Sequence, residues 1–285
     1  MYVTDNDRKG LRHRFDWCGD SMISSYFEGI IGTGVAERRD DPRWMLIRSG
    51  DFYFAAGEPV GIDEAVRDFI LPHSVIIPED MKWLEAVQAC GLEAGPYTRY
   101  RTRIPEKGLD RALLESYLRN AGCVTVKRAG EREYALLRDC EWENAFVFNF
   151  SGMEDFLTNG FAWCVFIGDE LASAASTYGW YSGGYELQIA TAPMFRRRGL
   201  AAVSGAAFLL ECLDRGKRPH WDAANETSVR IAQRLGFEYA GEYQAISVKA
   251  TPHNHCASDA QSDFSSDCLN STPPCWRKAR RIWVI

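Results

Sequence analysis

The sequence predicts an α/β protein in which a smaller α/β domain precedes a second one. Short apolar strands alternate with amphipathic helices in the N-terminal part, and the pattern restarts near Cys123. Hydrophobic residues make up 46% of the 285 residues, which is enough for a sizeable core. We therefore expect an N-terminal domain over residues 1–121, a second domain over 122–250 and a tail over 251–285.

The N-terminal region alternates strands and helices. The predicted strands are RWMLIRS, DFYFAAG, SVIIPED and TRYRTRI, and the predicted helices are MKWLEAVQAC and LDRALLESYLRNAG. Gly50 separates the first two strands, while Gly91 and Gly122 suit the C-terminal ends of the helices.

The second region has the predicted order helix, helix, strand, strand, strand, helix, strand, helix, strand. It begins with the helices EREYALLRDC and GMEDFLTNG, and its three consecutive strands come from FAWCVFIGDELASAASTYGW and YELQIAT. The remaining elements are a helix from Gly199 to Asp214, a strand from Pro219 to Ala224, a helix from Asn225 to Leu235 and a strand from Phe237.

Composition and charge argue against several classes of function. The formal net charge of -6 gives no global attraction to nucleic acid or to an anionic membrane. No apolar run reaches the ~18 residues of a membrane span, and the N-terminus lacks the apolar segment of a secretory signal. The scattered cysteines that precede the tail are expected to be reduced thiols in a cytoplasmic protein.

The segment from Thr251 onward differs in composition from the rest of the chain. It is rich in Ser, Asp, Pro and Asn without periodicity, which predicts a disordered tail. The potential metal ligands in this tail are His253, His255, Cys256, Cys268 and Cys275. Their spacing matches no structural zinc pattern, so we expect no metal site.

The stretch TAPMFRRRGLAAV, residues 191–203, lies where a predicted strand gives way to a helix. Pro193 should end strand pairing, and Gly199 begins the helix. The first amides of a helix have no internal partners and the helix dipole is positive there, so an anion such as pyrophosphate can bind. Taken alone, a solvated run of three arginines is the stronger interpretation of this stretch, because short glycine motifs are weak signals.

The downstream residues resemble the GCN5-related N-acetyltransferases (GNATs). Arg196 to Ala201 matches the acetyl-CoA signature of that superfamily: Arg or Gln, two residues, Gly, one residue, then Gly or Ala. Asn225 to Phe237 is similar to its second motif, an Asn followed by a helix and Leu-Gly-Phe. ELQIATAPMFRRRGLA and PHWDAANETS together look most like a bacterial subgroup with an extra N-terminal domain. The resemblance implies a mixed, mostly antiparallel sheet with a splayed pair of parallel strands and flanking helices.

The resemblance also implies binding of acetyl-CoA by the second domain. Backbone groups of Ile189 and Thr191 would pair with the pantetheine arm. The residues that would surround the pyrophosphate are Arg196, Arg197, Arg198, Gly199, Leu200 and Ala201. Asn225 and Ser228 would contact the arm, although Asn225 alone is equally well explained as a helix cap.

The implied reaction is direct attack of a small-molecule amine on the thioester. Glu186, at the start of the cofactor strand, is the candidate base, with an exposed strand residue of no catalytic role as the alternative interpretation. Many relatives place a Tyr acid seven residues after the Asn, but Ala232 occupies that position here. Tyr239 or Tyr243 is then the candidate acid, or the thiolate leaves unaided because an ordinary thiol has a pKa of about 8.5.

The N-terminal domain is expected to form one wall of the acceptor pocket. The candidates for that wall are Trp44, Phe52, Tyr53 and Glu58, with core packing as the stronger interpretation of the aromatic residues. His220 and Asp222 alternate on the strand before Asn225, where they either face the acceptor or have a structural role, and the structural role is the stronger interpretation.

Two other classes of function stay open. The missing Tyr allows a non-catalytic acyl-CoA-binding or sensor protein. Arg99, Arg101 and Arg103 alternate on one predicted strand, but the net charge is negative and aromatic residues are not regularly interleaved, so we expect no nucleic-acid partner. The sequence leaves the acceptor amine unidentified, and a homodimer stays open.

Overall fold

Two β-sheets form the framework of the computed structural model, which describes residues 1–249. The strands of this part of the chain are β1 (Thr33–Ala36), β2 (Trp44–Ser49), β3 (Phe52–Gly57), β4 (Val75–Pro78), β5 (Ala94–Arg103), β6 (Thr125–Arg128), β7 (Ala162–Ile167), β8 (Glu170–Tyr181), β9 (Gly184–Thr191), β10 (Arg218–His220), β11 (Asp222–Ala223) and β12 (Glu238–Val248).

Helices flank both sheets. They are α1 (Asp5–Arg8), α2 (Ser21–Phe27), α3 (Glu64–Phe69), α4 (Lys82–Ala89), α5 (Arg111–Arg119), α6 (Glu131–Arg138), α7 (Met153–Asn159), α8 (Leu200–Asp214) and α9 (Glu226–Arg234). Short 3₁₀ segments cover Lys9–Phe15 and Pro193–Phe195.

Both sheets are mixed and mostly antiparallel. The first has the strand order β1-β2-β3-β4-β12-β5-β11, in which only β3 and β4 pair in parallel. The second has the order β10-β9-β8-β7-β6, in which only β9 and β10 are parallel. The predicted fold class, a mostly antiparallel mixed sheet with one parallel pair and flanking helices, is therefore confirmed.

The strands β9 and β10 splay apart soon after they meet. Their register runs from Gly184 opposite Arg218 to Glu186 opposite His220, and it ends there. One residue later the chain continues as β11, where Asp222 pairs with Arg101 of the other sheet. Within the described residues, β9 beyond Glu186 therefore pairs with β8 alone, and its other edge is open.

Helix α8 covers one face of the second sheet. Apolar side chains occupy almost the whole circumference of this helix, and most of them are buried. Phe208 is completely buried and stacks on Phe161 with 4.5 Å between the ring centroids. Leu209 and Ala206 are also buried in this cluster, together with Leu187 of β9. The strand that carries the open edge is thus held rigidly on a packed helix.

Several short elements were not predicted. These include α2, whose seven residues are too few to show a helical repeat, and β6, an edge strand of mostly exposed residues. The single strand predicted from Pro219 to Ala224 is wrong, because the chain breaks at Trp221 into β10 and β11 in two different sheets.

The predicted domain boundary near residues 121 and 122 stays a prediction, and the sheets do not follow it. The late strand β12 inserts between β4 and β5 of the first sheet, and β11 joins the far side of β5. The predicted disordered tail over 251–285 lies outside the described residues. The six cysteines of residues 1–249 are free thiols.

A test of the packing around α8 is Phe208→Ala. Removal of this fully buried ring should lower the free energy of unfolding by about 3–5 kcal/mol, measured by urea denaturation. The control Leu136→Ala, on the exposed side of α6 at 37% exposure, should change it by less than about 1 kcal/mol. Equal losses for the two variants would contradict the packing described here.

Candidate active site

The segment 196–201, which we call the anion cradle, connects the end of β9 to the first turn of α8. Arg197 has φ +63° and Gly199 has φ +78°, whereas the residue between them is not left-handed. Alternation of this kind turns successive backbone N–H groups toward one point and forms an anion-binding concavity. The strained φ of Arg197, a residue with a side chain, is consistent with a functional loop.

Backbone donors at the cradle are available to an anion. The N–H of Ala202 donates to the carbonyl of Gly199 at 3.0 Å, so the N–H groups of Gly199, Leu200 and Ala201 come before the first helical hydrogen bond. A Cβ placed on Gly199 would have no heavy atom within 4 Å, so the corner is open. These features fit a pyrophosphate group with its two negative charges at the positive end of the α8 dipole.

The three arginines of the cradle are exposed and border this corner. Arg196 donates through Nε to the carbonyl of Thr191 at 3.3 Å, and the Arg198 guanidinium lies 5.4 Å from the centroid of the Phe195 ring. These contacts are weak enough for both side chains to turn toward a bound anion. The predicted pyrophosphate residues are thus brought together at one corner.

The open edge of β9 presents the backbone groups of Ile189 and Thr191. The N–H of Ala192 donates to the carbonyl of Ala172 in β8. On the other side, the carbonyl of Gly183 accepts from the N–H of Arg218 in β10. Because backbone groups alternate between the two edges of a strand, the odd-numbered residues face β10, which has already turned away. An extended ligand arm can therefore pair with Ile189, whereas the Thr191 carbonyl already accepts from Arg196.

Asn225 and Ser228 have clear structural roles. Asn225 is the N-cap of α9, and its Oδ1 accepts from the Ser228 N–H at 3.0 Å. The Ser228 hydroxyl accepts from Trp221 Nε1, also at 3.0 Å. The helix-cap interpretation of Asn225 is confirmed, and contact of either residue with a cofactor stays a prediction.

A cavity of about 160 Å³ lies where β9 and β10 part. It is lined by residues 18–21, Ile77, residues 101–102, Glu186, residues 220–222 and Tyr243. Both sheets and the segment before α2 contribute to it. A wider open depression of about 540 Å³ near α7 is lined by residues 151–155, Thr158 and Asn159, all outside the region where the strands part.

Glu186 is the most buried carboxyl of this cavity, at 8% exposure. Its Oε2 accepts from the Ser21 hydroxyl, and its Oε1 accepts from the Asp222 N–H at 3.1 Å. Burial, and then the nearby charge of Asp20, raises the pKa of Glu186 well above the range of an ordinary glutamate. Burial and the charge of Asp222 likewise raise the pKa of Asp20. A carboxyl of this kind can exchange a proton near neutral pH.

Asp222 is held by two donors from the first sheet. Arg99, buried at 5% exposure, donates through Nε to Asp222 Oδ2 at 2.7 Å, and the Tyr243 hydroxyl donates to the same oxygen at 2.7 Å. Burial and the adjacent Asp222 carboxylate raise the pKa of Tyr243 above that of an ordinary tyrosine. Tyr243 is therefore a poor proton donor, although it faces the cavity.

The other predicted acid, Tyr239, does not line the cavity and is 45% exposed. Ala232 is completely buried in α9 and offers no proton. His220 lines the cavity through β10, and its Nε2 lies 3.0 Å from the Tyr181 hydroxyl. Burial lowers the pKa of His220 to about 4, so its imidazole is neutral.

The residues predicted for an acceptor-pocket wall do not line the cavity. Trp44 and Tyr53 are buried in the core, Phe52 packs edge-on against Tyr178, and Glu58 pairs with Lys82 at 2.9 Å outside the cavity. The residues that sequence reasoning missed are Cys18, Asp20 and Ser21. Asp20 followed by a short apolar stretch is a helix-cap signal, but nothing in the sequence places it beside Glu186.

The arginines of β5 each contact another residue of the chain. Arg99 is buried on Asp222, Arg101 lies 4.4 Å from the Tyr243 ring centroid, and Arg103 pairs with Glu238 at 2.8 Å. Within residues 1–249, no cluster of three or more His, Cys, Asp or Glu side chains is arranged to hold a metal ion. No helix in the same residues has the length and apolarity needed to cross a membrane.

Comparisons with known proteins agree with this geometry. The family described as GNAT acetyltransferase matches residues 12–246. An uncharacterized N-acetyltransferase of Bacillus subtilis, YdfB, is 28% identical to this chain over 95 residues. The matched residues span 33% of this chain and 36% of the length of YdfB.

Two solved structures have the same fold. A GCN5-related N-acetyltransferase-like protein from Streptococcus suis superposes with a TM-score of 0.79 at 26% identity, covering 86% of this chain and 99% of that one. A GNAT-family acetyltransferase from Colwellia psychrerythraea gives a TM-score of 0.50 at 10% identity, covering 88% and 99%, and shows the fold alone.

The raised pKa of Glu186 makes stability depend on pH. Between the unfolded pKa of about 4.3 and the higher folded pKa, the folded state keeps a proton that the unfolded state releases, so stability falls as pH rises. Glu186→Gln removes this effect. We expect the variant to melt at a higher temperature than the wild type at pH 8, with the difference shrinking toward pH 5.

The control for this measurement is Glu242→Gln, at an exposed position of β12. Calorimetry across the same pH range should show little change for it. A melting temperature of Glu186→Gln below that of the wild type at pH 8 would contradict the raised pKa of the buried Glu186 carboxyl.

Proposed function

The chain belongs to the GNAT acetyltransferase family, and from that premise we propose that it transfers an acetyl group from acetyl-CoA to the amine of a small molecule. One observation carries the proposal. The single strand β9 bears Glu186 in the cavity at one end and leads along its open edge to the anion cradle at the other. Glu186 and Thr191 are five residues apart, about 16 Å along an extended strand, which suits an elongated cosubstrate.

Acetyl-CoA supplies the acetyl group as a thioester. We assign its pyrophosphate to the anion cradle, where backbone N–H groups of Gly199, Leu200 and Ala201 donate and Arg196 to Arg198 add charge. We assign its extended arm to the free backbone groups of Ile189. Asn225 and Ser228, at the N-terminal end of α9, would also contact this arm.

Glu186 acts as the base in this proposal. Its carboxylate accepts the proton that the acceptor's ammonium group loses, and the neutral amine then forms the N–C bond as the C–S bond breaks. The second proton that the nitrogen loses on becoming an amide passes to the departing thiolate, which leaves as the thiol. The departing thiolate needs no protein acid, because its pKa of about 8.5 makes it a good leaving group. This assignment agrees with the buried Ala232 and with the engagement of Tyr243 by Asp222.

The acceptor is a compact cation in this proposal. The cavity brings the carboxyl groups of Asp20, Glu186 and Asp222 together with Arg101, and Arg99 lies behind Asp222. When all three carboxyl groups are ionised, they exceed the two guanidinium groups by one negative charge, which an ammonium group would neutralise. The volume of about 160 Å³ limits the part of the acceptor that enters to a few non-hydrogen atoms.

The N-terminal region takes part in acceptor binding in this proposal, because residues 18–21 and Ile77 line the cavity. We place the protein in the cytoplasm of a bacterium, on the basis of its free thiols and the bacterial relatives. The alternative is an acyl-CoA sensor that binds without turnover, which the absence of a hydroxyl at Ala232 would allow.

The test is incubation of the protein with acetyl-CoA and a panel of small primary amines, followed by mass spectrometry of the N-acetyl products. Product from at least one amine supports transfer. Tight binding of acetyl-CoA by calorimetry, with no product from any amine, would favour the sensor.

Gly199→Val tests the anion cradle. Its side chain would cover the open corner at a left-handed φ, so we expect the Kd for acetyl-CoA to rise at least roughly tenfold by calorimetry. Gly216→Val is the matched control, because Gly216 has φ +63° at the other end of α8 and is equally open. Both variants should lose similar stability, and equal affinities would remove the cradle from the proposed site.

Glu186→Gln tests the base. We expect kcat for the best amine of the panel to fall by about 10²–10⁴-fold, while the Kd for acetyl-CoA stays within about twofold. The kcat/KM of the wild type should rise with pH through the raised pKa of the base. Full activity of Glu186→Gln would show that another group takes the proton.

A further inference from the structure

The hydroxyl of Ser21 contacts Glu186 although 165 residues separate them in the sequence. Ser21 is the first residue of α2 and is buried at 4% exposure. Its Oγ donates to Glu186 Oε2, while the Asp222 N–H donates to Oε1 at 3.1 Å. Each oxygen of the Glu186 carboxylate therefore has one donor, and one donor comes from α2 while the other comes from β11.

The packing of α2 on β8 explains how Ser21 reaches Glu186. Gly179 of β8 is opposite Glu186 in the β8–β9 register, next to an irregularity in the pairing. A Cβ on Gly179 would lie 2.2 Å from Met22 Sδ, so a larger residue there would displace the Met22 side chain from its place on the strand. The side chain of Asp20 caps α2 by accepting from the Met22 N–H at 2.8 Å. Residues 20–22 thus lie over the Gly179–Glu186 pair.

We propose that Ser21 is a positioning residue for the general base, whose hydroxyl orients the Glu186 carboxylate and stabilises its ionised form. The inference rests on the proposed function, in which Glu186 is the base. It gives the N-terminal region a part in catalysis through Glu186, in addition to a wall of the acceptor cavity. A hydroxyl that donates to a carboxylate favours the charged form over the protonated one.

The charged and titratable neighbours of Glu186 come from several elements. Those that share its cavity are Cys18, Asp20, Arg101, His220, Asp222 and Tyr243. Arg99 lies beyond Asp222, and Tyr181 beyond His220. Burial keeps His220 neutral by lowering its pKa, and burial raises the pKa of Cys18 to about 12. Among these cavity groups, Asp20 is therefore the principal one that titrates together with Glu186.

The same helix supplies a matched control for Ser21. Ser25 lies one turn later, is completely buried, and its hydroxyl has no hydrogen-bond partner within the described residues. Ser21→Ala and Ser25→Ala each remove one buried hydroxyl from α2, but only the first removes a donor to Glu186. A purely structural role of buried hydroxyls in α2 would affect both variants alike.

The experiment is a ¹³C NMR titration of the glutamate carboxyl carbons in the full chain, with the Glu186 signal assigned by its loss in Glu186→Gln. We expect Ser21→Ala to move the Glu186 midpoint up by about one pH unit, since a hydrogen-bond donor to the charged form is lost. Ser21→Thr, which keeps the hydroxyl, should restore most of the wild-type midpoint, and Ser25→Ala should leave it unchanged. Asp20→Asn, which keeps a good helix cap, should move it down because a negative charge is removed.

The acid limb of kcat/KM for the best amine of the panel should move with the NMR midpoint in Ser21→Ala, while the KM for acetyl-CoA stays constant. An unshifted midpoint in Ser21→Ala, or an equal shift in Ser25→Ala, would overturn the inference. Full activity of Glu186→Gln would instead overturn the proposed base and leave the measured Ser21–Glu186 coupling intact.

Discussion

The parting of β9 and β10 after Glu186 and His220 is the constraint on which the rest of the site depends. It occurs at Trp221, which is 4% exposed, packs edge-on against Phe237 and donates to Ser228. This buried indole holds the chain as it crosses from one sheet to the other. One break therefore produces both an open strand edge and a cavity between the sheets, and it places Glu186 where the two meet.

The cavity carries more negative charge than its surroundings neutralise. Burial of a carboxylate is costly unless it is paired, and Arg99 pairs only with Asp222. Glu186 is stabilised by two hydrogen-bond donors, and its pKa is raised through burial and the charge of Asp20. The electrostatic environment that makes this carboxyl unfavourable for stability is the same one that suits it to exchange protons near neutral pH.

Local sequence patterns predicted the parts of the site that lie close together in the chain. The cradle at 196–201 and the caps of α8 and α9 follow from helix-terminus chemistry within a few residues. The sequence could not place Asp20 and Ser21 beside Glu186, because that contact depends on how α2 packs over Gly179. It also could not divide β10 from β11, since the break at Trp221 is set by tertiary packing rather than by a turn residue.

The position of β12 ties the assembly of the cavity to the last described strand. β12 pairs with β5 along most of its length and with β4 on its other side, and it brings Tyr243 onto Asp222. The partners of β12 lie more than 130 residues earlier, as in the Arg103–Glu238 contact with its separation of 135 residues. Such non-local pairing costs loop-closure entropy, because a long stretch of chain is closed when it forms. β12 therefore joins β4 to β5 and supplies one of the two donors to Asp222, so the cavity between the sheets depends on the last described strand.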